Sequence, residues 1–250
     1  MLRIGCVKYL NARPLIHGWS GAVDFDHPAA LCRKLEHGDL DVALVSSLEF
    51  LRRPIYRIAD GISISSRGPV YSVIVAHRKE LSAVRQIDLD PASETSVALL
   101  KCVLAERGLN PQLVLRHRHL ADVTARLLIG DQAIRFRQMH SNYRLWDLGE
   151  EWKNVVNLPF VFALWLIRPE IDNAKEIADA LRQLRHHNLK NLDDLVSTQS
   201  EVSPAFCRKY YREHLFFDFG EREKAGLREF HRRCLLNKIE VAPDLQLNLV

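Results

Sequence analysis

Phosphate-binding glycine loops are missing from this sequence. Its eleven glycines in 250 residues nowhere form GxGxxG or GxxxxGK[ST], which argues against a dinucleotide or nucleoside triphosphate cofactor. No GxSxG elbow and no HExxH helix occurs, and the paired histidines at 117 and 119 and at 186 and 187 lack the spacing that would put two imidazoles on one helix face, so no metal is expected. The five cysteines are odd in number, widely spaced and never arranged CxxC; they read as buried thiols rather than as a disulfide framework or zinc knuckle. There is no lysine- or arginine-rich block. The net charge of +4 is scattered along the chain, which suits a small anion and argues against nucleic acid as a partner. The apolar stretch after Met1 is too short for a secretory core and far too short to cross a bilayer, so no membrane is expected as a partner and the expected location is cytoplasmic. Nothing is low-complexity, and the pattern carries no signal for or against self-association.

What is present is ordinary globular material, 47% hydrophobic and 26% charged, long enough for one core or for two lobes. Short β-branched runs alternate with amphipathic stretches, the pattern of an α/β fold. Residues 2–7 (LRIGCV) predict a strand; residues 27–38 predict a helix with Pro28 in its first turn and Gly38 as its stop. LDVALV predicts a strand ending at Ser46 and Ser47, and VYSVIVAH predicts one long enough to run from one lobe toward another. The plan then repeats: SETSVALLKCVLAERG (93–108) predicts a capped helix, and VTARLLIGD a strand ending on Gly130 and Asp131. LPFVFALWLIRP (158–169) predicts a buried strand returning to the first lobe, and three amphipathic helices follow it. The chain is thus expected to form a discontinuous lobe I, residues 1–76 plus 164–250, and a lobe II, residues 77–163, joined by two crossing strands.

In open α/β sheets, ligands sit beyond the carboxyl ends of strands, where loops converge and helix N-termini present free N–H groups. That rule selects Asn11, Ser46, Ser47, Ser72, the cap Ser93–Thr95–Ser96, and Asp131. All but Asp131 are uncharged, suited to holding an anion. Each also has a plainer meaning. SETS serves as a helix cap worth about 1 kcal/mol, Asn11 before ARP makes a turn, Ser72 is neutral in a strand, and Asp131 caps the next helix. Trp146, Trp152 and Trp165 read as core rather than as a ligand cage.

Six stretches, VKYLNARPL, LEHGDLDVALVSSLEFL, GISISSRGPVYSVIV, DPASETSVALLKCVLAERG, LLIGDQAI and DLGEEWKNVVNLPFVFALW, come in an order and spacing that resembles the chorismate dehydratase family of the futalosine route to menaquinone, over roughly residues 3 to 167. The resemblance implies a two-lobed fold like type II periplasmic binding proteins, with mixed sheets and an interlobe cleft. It implies a lyase that converts chorismate, a small-molecule substrate, to 3-[(1-carboxyvinyl)oxy]benzoate by loss of water, with neither metal nor organic cofactor. Carried over by motif, Asn11 and Ser72 are the active-site residues; Ser46, Ser93, Thr95 and Ser96 bind substrate, and Asp131 lines the cleft. Arg126 departs from the family pattern, which has a small apolar residue there, and Arg135 and Arg137 have no assigned place.

The same fold also captures solutes without chemistry, so a small-anion binding protein is an alternative. So is the related 1,4-dihydroxy-6-naphthoate synthase, for which a histidine is expected in the cleft where these turns carry Asn and Ser. A ligand-sensing domain of a transcription regulator would need a helix-turn-helix for which the pattern leaves no room.

Overall fold

The computed structural model describes residues 2–89, 94–115, 124–199 and 202–250. Strand β1 (Ile4–Cys6) ends where Leu10–Ala12 form a 3-10 turn leading into a single helical turn, α1 (Arg13–Ile16), with Pro14 in its first turn. Then come β2 (Val23–Phe25), α2 (Pro28–His37), β3 (Val42–Ser46), α3 (Ser47–Arg52) and β4 (Arg57–Ser66). Helix α2 begins and ends as its sequence dictates. Pro28 supplies a first-turn φ, and Gly38 at φ +81° takes the left-handed cap, its N–H donating back to Lys34 and Leu35.

The chain leaves this sheet through 67–72 and builds β5 (Val73–His77), β6 (Gln86–Leu89), α4 (Glu94–Glu106), β7 (Gln112–Leu115), β8 (Ala125–Ile129), α5 (Gly130–Met139), β9 (Arg144–Asp147) and α6 (Leu148–Val156). It returns as β10 (Phe160–Ile167) and finishes in α7 (Ala174–Lys190), α8 (Leu192–Ser197), α9 (Pro204–Lys209) and α10 (Glu221–Leu236).

Two five-stranded mixed sheets result, ordered β2-β1-β3-β10-β4 and β7-β6-β8-β5-β9. The FVFALWLI run lies between β3 and β4, antiparallel to both, and six of its eight residues are buried, successive side chains included, which explains its lack of alternation. The outer edge of β4 is closed by residues 216–217 and by the C-terminal residues, with Ile58 donating to Asn248 at 2.7 Å and Val250 donating to Ile58 at 3.0 Å.

The crossings fall a few residues earlier than the sequence boundaries suggest. All of β5, from Val73 onward, pairs with β8 and β9 in the second sheet, so no strand bridges the lobes; the crossing is the non-strand segment 67–72, which holds only the first three residues of VYSVIVAH. Likewise β10 belongs to the first sheet from Phe160, not from residue 164. Sequence length reveals a strand but not which sheet hydrogen-bonds it.

Trp152 and Trp165 are fully buried. Trp152 of α6 meets Phe160 of β10 and Phe230 of α10 edge-on, with centroids 5.1 and 5.9 Å away, so a second-lobe helix is seated on first-lobe elements. Trp146 is partly buried, its indole N–H donating to Glu151 at 3.0 Å. Arg126 lies half-buried on the central strand β8, in register with Ala76 and Asp88. Among the described residues no helix is long and apolar enough to cross a membrane.

Candidate active site

A cavity of about 680 Å³, partly open to solvent, lies between the sheets. Its polar lining is Asn11, Ser46, Ser72, Glu94, Thr95 and Ser96; its apolar lining includes Val7, Tyr9, Leu44, Ile129 and Phe162. Glu94 is the single charged side chain among the described lining residues.

Asn11 sits in the 3-10 turn after β1, and this turn is held from three sides. Leu10 N–H donates to Asp131 Oδ1 at 3.0 Å, Tyr211 hydroxyl donates to the Leu10 carbonyl at 2.9 Å, and Ala12 N–H closes onto the Tyr9 carbonyl at 3.0 Å. Asn11 Oδ1 is buried with no hydrogen-bond partner from the protein. A buried acceptor in that state costs about 1–3 kcal/mol, so a site occupied by a donor-bearing ligand is the natural complement.

Ser72 enters from the other side, at the end of the crossing segment. Its carbonyl accepts from Gly130 N–H at 2.8 Å, and its hydroxyl accepts from Tyr210 at 2.7 Å. Gly130 has φ +55°, a conformation that favours glycine, and a Cβ there would stand a tight 3.2 Å from the Tyr9 ring. The crossing itself is pinned by Asp147, a buried carboxylate at the end of β9. It accepts from Val70 and Tyr71 N–H at 3.0 and 2.8 Å while capping α6 through Gly149 and Glu150 N–H at 3.0 and 3.2 Å. Arg137 lies 3.4 Å from the same carboxylate with its guanidinium 4.2 Å from the Tyr71 ring centre, which places a residue that the sequence left unassigned. Arg135 lines the smaller pocket beside Asp131.

The third wall is the start of α4. Thr95 Oγ1 contacts Ser46 Oγ and accepts from Leu48 N–H at 3.2 Å, while Arg52 pairs with Glu94 beside them. These bonds join a first-lobe helix to a second-lobe helix at the edge of the cavity.

The structure therefore brings Asn11, Ser46, Ser72, Thr95 and Ser96 to one cavity; Ser93 lies outside the described residues. Asp131 does not line it. Its carboxylate is turned to the Leu10 amide and faces a neighbouring pocket, because the first turn of α5 aims it along the Asn11 turn rather than into the cleft. Ser47 is also diverted, its hydroxyl donating to Val161 at 2.7 Å. Sequence reasoning missed Asp147, Tyr210 and Tyr211, which act on the site through backbone or hydroxyl partners 76 to 201 positions away. Burial pushes both tyrosine phenols well above their ordinary range, so they remain protonated donors. Cys6 and Cys32 are pushed up to about 12, also by burial, and are inert thiols. Among the described residues no group of three His, Cys, Asp or Glu side chains is arranged to hold a metal ion.

A family profile described as menaquinone biosynthesis matches residues 2–235. The chain belongs to this family. A protein of Thermus thermophilus named chorismate dehydratase is 31% identical, with 91% of this chain and 93% of that protein aligned. A Campylobacter jejuni protein of the same name is 25% identical, with 90% of each covered. Among solved structures, a protein of Archaeoglobus fulgidus superposes with a TM-score of 0.69 at 18% identity, covering 95% of this chain and 98% of that one. The periplasmic aliphatic sulphonate binding protein of Escherichia coli gives 0.67 at 12% identity, covering 99% and 94%. These structural likenesses place this menaquinone-biosynthesis family member in the two-lobed periplasmic-binding-protein fold.

Proposed function

We propose that this cavity dehydrates chorismate to 3-[(1-carboxyvinyl)oxy]benzoate, with Asn11 and Ser72 as its catalytic residues and Ser46, Thr95 and Ser96 at the substrate's carboxylate side. The observation that carries the reading is the buried, unpartnered Asn11 amide oxygen in a cavity shared with Ser72 and the start of α4. The aligned relatives named chorismate dehydratase support it.

The reaction needs little beyond orientation, because loss of water makes the ring aromatic. The C–H bond at the carbon bearing the enolpyruvyl ether breaks, and its electrons are delocalised through the ring double bond toward the ring carboxylate. Neutral donors around that carboxylate stabilise the growing charge. The electron pair then returns to form the new ring double bond as the neighbouring C–OH bond breaks, its own pair leaving on oxygen. A base is required, and an amide has no useful basicity. The substrate's enolpyruvyl carboxylate takes the proton and passes it to the departing hydroxide, giving water; Asn11 and Ser72 hold that side chain and the leaving oxygen.

The test is to mix the purified protein with chorismate and follow, by ultraviolet absorbance and mass, an aromatic product one water lighter. Turnover lost in Asn11→Ala supports the assignment. Unchanged chorismate that still protects the protein against heat would replace the reading with a binding protein, and full turnover by Asn11→Ala would remove Asn11 from the mechanism.

A further inference from the structure

Helix α9 does not end at Lys209. Its backbone widens into a π-helical turn, Tyr210–His214, with Leu215 N–H donating five residues back to Tyr210 at 3.1 Å. Such widened turns are rare and are found disproportionately at functional sites. Here the turn presents two successive tyrosines to two different walls of the cavity: Tyr210 reaches Ser72 and Tyr211 reaches the carbonyl of Leu10, next to Asn11. Both rings are buried, and Tyr210 is completely enclosed. The turn is itself fixed against the crossing segment, with Tyr210 stacked on Phe206 (5.7 Å, 13°), Tyr71 against Phe206 and His214, and His214 Nδ1 3.0 Å from the Pro69 carbonyl.

A serine hydroxyl has one proton and two lone pairs. At Ser72 one lone pair is filled by the Tyr210 phenol, which is neutral and donates. The serine's own proton is then free to point at whatever occupies the cavity that Ser72 lines. We propose that Tyr210 is a positioning residue that makes Ser72 a hydrogen-bond donor to the oxygen gaining charge as the ring hydroxyl departs. This inference rests on the dehydration reading. In a hydrogen-bonded relay, the phenol polarises the serine O–H and strengthens its bond to an anionic oxygen, so its effect grows toward the transition state.

The experiment is a double-mutant cycle on chorismate turnover with Tyr210→Phe, Ser72→Ala and the pair. Tyr210→Phe removes one oxygen and keeps the ring packing; melting temperatures and far-ultraviolet circular dichroism check that each variant is folded. The expected result is a fall in kcat of roughly tenfold, about one hydrogen bond, with KM within roughly twofold of wild type. Once Ser72 is alanine, adding Tyr210→Phe should cost no further rate, because the two act as one unit. A loss confined to KM, a Tyr210→Phe variant as fast as wild type, or losses that multiply in the pair would each overturn the role while leaving the dehydratase reading standing. Wild-type protein inert toward chorismate would instead remove that reading and this role with it.

Discussion

Replacing Asp147 by asparagine changes almost no volume yet should unsettle the whole crossing between the sheets. One oxygen of this buried carboxylate accepts from Val70, Gly149 and Glu150 N–H, and the other accepts from Tyr71 at 2.8 Å and faces Arg137 at 3.4 Å. An amide can satisfy only one of these sides. In its better orientation the NH₂ replaces the second oxygen and stands donor-to-donor against Tyr71 N–H. A hydrogen bond to a charged acceptor contributes about 1.5–3 kcal/mol, and the bonds remaining on the first oxygen weaken as the charge disappears. Together these effects amount to roughly 3–4 kcal/mol, and for a chain of this size each kcal/mol shifts the melting temperature by about 2–4 °C. Asp147→Asn is therefore expected to melt roughly 6–16 °C below wild type, by calorimetry or circular dichroism. Since Ser72 directly follows Tyr71, turnover should fall even well below that melting point. A variant that melts within about 2 °C of wild type would refute the claim that this carboxylate holds the crossing.

Two further expectations concern the frame around the site. Gly226 of α10 lies so close to β10 that an added Cβ would be 2.0 Å from the Pro159 carbonyl oxygen, a backbone atom that cannot rotate away. Gly226→Ala should destabilise by about 3 kcal/mol, whereas Gly68→Ala, whose Cβ meets nothing within 4 Å, should be neutral in the same melts; equal melting of the two would sink the packing argument. Glu49 in α3 is buried, and that burial raises its carboxyl pKa against the lowering pull of Arg53 and Arg52. Its folded-state pKa therefore exceeds the unfolded one, so its contribution is fully present below about pH 4.3 and is lost as pH rises through the folded value. Glu49→Gln, which mimics the protonated form, should gain on wild type in denaturant titrations as pH goes from about 4 to neutrality; a difference that is flat with pH would contradict this.

How far the sequence could be read depended on the range of the interaction. Helix α2 is legible because Pro28 and Gly38 act within one turn of themselves, and β10 because an apolar run without helical spacing needs no partner to be recognised. The positions of Asn11 and Ser72 followed from a rule about strand ends. What escaped was tertiary. Nothing in VYSVIVAH states that its hydrogen bonds go to β8 and β9, and DLGEEW shows an N-cap aspartate but not the two amides it collects from the crossing. Tyr210 and Tyr211 look like part of an amphipathic stripe, because their hydroxyl partners lie 138 and 201 residues away and the widening of the helix has no local marker. Asp131 was read by its place after a strand, but a side chain at a helix start can turn along the neighbouring chain as easily as into the cleft.

The charge distribution of the cavity bears on which group takes the proton. Its described lining contains no lysine or arginine, although the proposed substrate carries two carboxylates. A guanidinium in contact would bind such an anion more tightly but would also lower the carboxylate's pKa by about 1–3 units, and with it the power to remove a ring proton. Hydroxyls, an amide and the N-terminus of α4, with its partial positive charge of about one-half, would orient the proposed anion at a smaller cost in basicity. Glu94 would repel the substrate at that helix end, and its pairing with Arg52 answers this. With both side chains a third or more exposed, the pair itself stabilises the fold by no more than about 1 kcal/mol. Its consequence is electrostatic: the one negative charge among the described lining residues is paired with a cation that does not itself line the cavity, so Glu94 repels a substrate carboxylate less while no cation is placed against that carboxylate.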